Sequence, residues 1–116
     1  MRTHTDAWEG WFATHSPGTE RFLYLVDESA DYAQTQQWAK WAADNPGPGR
    51  ALRTMATIDV RAAQQHVPDL GVPCMAGGVL GVPEPYEAAV DALLADPTKR
   101  FMMYNVPPAR FELAIF

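Results

Sequence analysis

RFLYLVD, residues 21–27, is nearly continuous in large apolar side chains. A run this short and this uniform reads as a β-strand covered on both faces, the pattern of a parallel sheet. Parallel strands need a crossover, and the next segment supplies one. Asp27 to Ser29 offers side chains suited to helix capping, and DYAQTQQWAKWAADN, residues 31–45, carries a helix to the stop signal NPGPG at 45–49. A helical wheel places Tyr32, Thr35, Trp38, Ala39 and Ala42 on one face. Trp41 falls at the edge of that face, either as a tryptophan at the core margin or as an exposed contact residue of the kind that anchors interfaces.

Upstream, DAWEGWFATH at 6–15 predicts a short helix with Trp8, Trp11 and Phe12 on one side, ended by the Ser16-Pro17-Gly18 turn. Downstream, ALRTMATIDV at 51–60 reads as a second strand. RAAQQHVPDL then gives a short helix closed by Pro68, with Val60, Ala63 and Val67 on one side. LGVPCMAGGVLGVPEP, residues 70–85, reads as a connection beside a groove, and its doubled LGVP is too short to mark a repeat. Tyr86, Ala89, Val90, Leu93 and Leu94 stand at helical spacing, with Pro85 in the first turn and Asp96-Pro97 as the stop. RFMMYNV and ARFELAIF flank Pro107-Pro108. The second alternates Phe111, Leu113 and Ile115 as a half-buried strand would, so the two form a hairpin or an appended pair of edge strands. Together these elements predict an α/β domain with a right-handed crossover.

The bulk numbers exclude several classes. A chain of 116 residues with 47% apolar and 20% charged residues is expected to be one globular domain. Its net charge of −5, with basic residues scattered from Arg2 to Arg110, argues against nucleic acid. The acidic balance favours solubility or docking onto a basic protein surface. With Cys74 as the only cysteine, an internal disulfide, a CxxC pair and a cysteine zinc cluster are all excluded. No signal-like or membrane-spanning apolar run is present, so a reducing cytoplasm is expected, with no membrane partner. His4, His15 and His66 lack ligand spacing, and HExxH, GxSxG and phosphate-loop motifs are absent. The glycines Gly77, Gly78 and Gly81 miss the dinucleotide spacing. Neither a cofactor nor a metal is expected.

The order of elements resembles the thioredoxin-like fold. LYLVD, ending in Asp27, resembles that family's central strand with its buried aspartate. TIDV resembles the next parallel strand, and LGVP the glycine-to-cis-proline turn, at a comparable spacing from Asp59 to Pro73. The resemblance covers residues 21–96. It implies a mixed sheet of about four strands flanked by helices, and a cis peptide at Val72-Pro73. Residues 1–20 would be an N-terminal helical extension and 97–116 a C-terminal strand pair. Where the family carries its redox CxxC this chain reads ESADYAQTQQ, so the resemblance implies a scaffold without the ancestral chemistry.

Three candidate chemistries follow. Cys74, after Pro73, would be either a small buried apolar residue or the thiol of a one-cysteine thiol-transfer or glutathione-linked enzyme, with Asp27 and Pro73 beside it. Asp27 and Asp59, ending two parallel strands, would either cap the helices that follow or, as a pair, hold Mg²⁺ or share a proton. The expected function is protein binding without redox activity, as an inhibitor, immunity-like or assembly protein. Tyr32, Trp38, Trp41, Phe111, Leu113 and Ile115 are the expected contact residues, and the C-terminal strand is available for pairing with a partner or a second copy.

Overall fold

The structure is a computed structural model that describes residues 2–77 and 84–105. Its elements run α1 (Arg2–His15), β1 (Phe22–Val26), α2 (Tyr32–Ala43), a 3-10 turn (Pro48–Ala51), β2 (Arg53–Thr57), α3 (Val60–His66), β3 (Val72–Gly77), α4 (Glu84–Leu94) and β4 (Met102–Asn105). The four strands form one sheet in the order β1-β2-β3-β4, and every pairing is parallel. This corrects the expectation of a mixed sheet. Right-handed crossovers between strands laid down in chain order put α2, α3 and α4 over the same face.

Two adjoining clusters fill the space between that face and the helices. Ala39 of α2, Ala56 and Ile58 at β2, and Ala63, Val67 and Leu70 around α3 make the first; Val60, Met75, Val90 and Leu93 join α3, β3 and α4 in the second. The predicted faces of α2 and α3 are therefore the buried ones. On α4 the prediction holds for Val90 and Leu93, while Leu94 is exposed at the helix end. Asp59 caps α3 by accepting from the amides of Arg61 and Ala62, at 2.7 and 3.1 Å. Asp27 caps nothing: the cap of α2 is Asp31, which accepts from Gln34.

Residues 72–77, read as connection, are strand β3 between two neighbours. Pro73 is tolerated there because of its direction. The Cys74 carbonyl accepts from the Ile58 amide on the β2 side at 2.9 Å, so the donor that Pro73 lacks falls on the β4 side, where pairing starts only at Cys74. No peptide bond among the described residues is cis, so the expected cis bond before Pro73 is not there.

The N-terminal helix is fastened by polar groups. Thr5 and Glu9 are its buried residues, whereas Trp8 and Trp11 are more than half exposed. Asp6 accepts from the Gly49 amide at 2.7 Å and from the Asn45 side-chain amide at 2.8 Å, and Glu9 forms an ion pair with Arg21. Gly47 and Gly49 permit this approach. A Cβ on Gly47 would stand 2.6 Å from the Asp6 carboxylate, and one on Gly49 would stand 2.6 Å from the Thr5 hydroxyl. At the other end of the chain, β4 is the predicted strand in RFMMYNV. Its proposed partner strand, with Phe111, Leu113 and Ile115, lies outside the described residues, as do Gly78 and Gly81.

Candidate functional site

Parallel strands all deliver their carboxyl ends to one edge of the sheet, and in open α/β sheets ligands bind in the crevice outside that edge. Here the edge holds a crevice of about 500 Å³ walled by Glu28, Tyr32, Asp59, Cys74, Tyr86 and Tyr104. Among the described residues its lining contains acidic and aromatic side chains and no lysine, arginine or histidine.

The end of β1 is organised around Asp27. Its Oδ1 accepts from the Tyr24 hydroxyl at 3.0 Å and from the Thr57 hydroxyl at 2.9 Å. Thr57 Oγ1 in turn accepts from the Glu28 amide. That bond holds Glu28 at φ 50°, a left-handed conformation costing a side-chain-bearing residue about 1–3 kcal/mol. The consequence is directional: Glu28 is turned across the strand ends, where its Oε1 accepts from the Tyr104 hydroxyl of β4 at 2.5 Å.

This hydrogen bond, with burial and the Glu28 charge adding to it, pushes the Tyr104 pKa up to about 12. On the opposite wall Asp59 raises Tyr86 above the usual tyrosine range, and the Arg61 guanidinium lies over the Tyr86 ring at 5.5 Å. An unfolded tyrosine titrates near about 10. The stabilisation carried by the Tyr104–Glu28 bond is therefore complete below that pH and is lost as the pH rises through about 12. In a phenolate absorbance titration, Tyr104 is expected to ionise after an ordinary tyrosine, and Glu28→Gln is expected to return it towards about 10. Titration of Tyr104 at the ordinary value in the parent protein would contradict the geometry.

Cys74 sits at the base of the crevice with 6% of its surface exposed. Burial raises its pKa, the reverse of what activates a nucleophilic thiol. Asp27 is engaged by Tyr24 and Thr57, and Asp59 by the first turn of α3. Among the described residues no group of three or more His, Cys, Asp or Glu side chains is placed to hold a metal ion.

The predicted contact residues are divided among three places. Tyr32 lines the crevice and stacks on His66, with ring centroids 5.0 Å apart. Trp38 lines a separate apolar groove beside β1. Trp41 is 54% exposed, which decides against the core-margin alternative. Glu28, Tyr86 and Tyr104 were not singled out by sequence reasoning. Only the position of Glu28 directly after a strand pointed to the carboxyl edge.

No protein-family model, curated protein or solved structure matches the chain. The described residues form an α/β fold with a four-stranded parallel sheet and an acidic, tyrosine-walled cleft at its carboxyl edge. No described helix is long and apolar enough to cross a membrane.

Proposed function

We propose that this chain is a non-catalytic protein-interaction domain whose carboxyl-edge crevice receives a basic side chain of its partner. The observation that carries this reading is the crevice lining: carboxylates at Glu28 and Asp59, aromatic walls at Tyr32, Tyr86 and Tyr104, and, among the described residues, no basic side chain in the lining itself. Carboxylates attract a guanidinium or ammonium, and the crevice already shows this chemistry in the Arg61 guanidinium that lies over the Tyr86 ring at 5.5 Å. The net charge of −5 draws a basic partner surface to the same molecule. The likeness to a redox-inactive thioredoxin-like scaffold belongs to this proposal and rests on TIDV, a parallel strand, and on the lack of a CxxC; LYLVD at the sheet edge and a Val72-Pro73 bond that is not cis depart from it. Roles as an inhibitor, an immunity-like protein or an assembly component are compatible with it. Thiol transfer through Cys74 is the weaker reading, because the thiol is buried and its pKa is raised.

An oligo-arginine peptide is a suitable probe. On titration, the ring resonances of Tyr32, Tyr86 and Tyr104 are expected to shift saturably, and the affinity is expected to fall about tenfold in Glu28→Gln, a loss of about 1.4 kcal/mol. Shifts spread over the other acidic surface residues, with the crevice tyrosines unmoved, would exclude this site.

A further inference from the structure

Strand β1 is in an unexpected place. FLYLV has the composition of a central strand, yet among the described strands β1 is an edge of the sheet, and none of its five residues is buried. Phe22 is 41% and Tyr24 48% exposed, whereas β3 buries four consecutive residues. Beside β1 runs a mainly apolar groove of about 320 Å³ lined by Trp8, Leu23, Tyr24, Leu25 and Trp38, together with His4 and Thr5. Three consecutive strand residues in one lining mean that the groove opens onto the edge of the strand itself, since alternate residues face opposite sides. No described residue brings a hydrogen bond to that outer edge. Edge strands are usually protected by lysine, proline or an inward-pointing charge, and FLYLV contains none of these.

Charge identifies the occupant. At the amino end of β1, Arg21, Arg53 and Arg100 surround Glu9 and Glu20, three arginines against two glutamates. At the carboxyl end stand Asp27, Glu28 and Asp31, with no basic residue among them. The two ends of the same strand thus differ in sign. A second copy laid antiparallel sets the positive end of each chain against the negative end of the other, twice over, while a parallel arrangement sets like against like.

We propose that β1 pairs antiparallel with β1 of a second copy about a two-fold axis, joining the two sheets into one. The interface is isologous, so every contact occurs twice and the assembly closes as a dimer. Trp8 and Trp38 of each chain flank the joined strands, and Phe22 and Tyr24 lose their water. The carboxyl-edge crevice takes no part, so the proposal stands apart from the reading of that site.

The test is sedimentation of the full chain over about a hundredfold concentration range, with amide exchange of residues 22–26 followed over the same range. The expected result is a mass of two chains, with β1 protection rising as the dimer forms. Phe22→Lys is expected to weaken the dimer at least about tenfold. Leu23→Lys is a second variant, and circular dichroism checks that each still folds. Three results would overturn the proposal. The first is a monomer in which the β1 amides not bonded to β2 exchange freely, which leaves the edge for a different partner. The second is a monomer in which those outward β1 amides are protected at every concentration, which assigns the edge to residues 106–116 of the same chain. The third is a dimer that neither folded lysine variant weakens.

Discussion

Leu70→Ala is expected to cost about 2–5 kcal/mol, the range for a large buried aliphatic side chain truncated in a core. Leu70 is 1% exposed and lies on the segment between α3 and β3, where it packs into the cluster of Ala39, Ala56, Ile58, Ala63 and Val67. Three of those five neighbours are alanines, which have no longer side chain to swing into the space. The backbones around them belong to α2, β2 and α3 and are held by their own hydrogen bonds, so the hole stays open. Because a small domain is stable by about 5–15 kcal/mol, this one change removes a large share. Urea unfolding should show the midpoint falling with the slope unchanged. Leu94→Ala is the control: its side chain is exposed, and the cost should stay within about 0.5 kcal/mol. Equal midpoints for the two variants would remove Leu70 from the core.

Gly49→Ala is expected to release α1. The new methyl would lie 2.7 Å from the Thr5 backbone carbonyl carbon as well as 2.6 Å from its hydroxyl, and backbone cannot rotate away. Overpacking of this kind costs about 1–3 kcal/mol. If α1 moves off to relieve it, the charge-assisted bond from the Gly49 amide to Asp6 is lost at about 1.5–3 kcal/mol. Amide exchange along α1 should accelerate, and the emission of Trp8 and Trp11 should change. In the same helix, Gly10→Ala meets nothing within 4 Å and is expected to stabilise by about 0.5–1 kcal/mol. Opposite signs from two glycine-to-alanine changes isolate the contact from any general effect on backbone entropy. A Gly49→Ala protein with unchanged α1 exchange would refute the docking described here.

Where burial and periodicity coincide, the elements can be read from residues alone. Thr35, Ala39 and Ala42 on α2, Val60, Ala63 and Val67 around α3, and Val90 and Leu93 on α4 recur at helical spacing because each helix covers one face of the sheet. Strand β3 was hidden by its own composition. Pro73 and Gly77 signal a turn when read locally, and only the pairing partners show that the missing donor falls where no ladder bond is needed. The burial on α1 was hidden for another reason. Its tryptophans attract attention, but the loop at 45–49 presents amides in need of acceptors, and Asp6 satisfies two of them. The crevice was least legible, because Glu28, Asp59, Tyr86 and Tyr104 share no motif. They meet because parallel strands end together.

Sequential strand order also bears on how the chain finds its fold. Each strand pairs with strands adjacent to it in sequence, and one helix spans each gap, so no ladder waits on the closure of a longer loop. The entropy of closure grows with the logarithm of loop length. It is smallest for β2 and β3, joined through the seven-residue α3, where Met55 meets Val72. That pair can zip first and offer both its edges as templates. The strands at either side are then added by steps of similar size, each closing one strand–helix–strand unit.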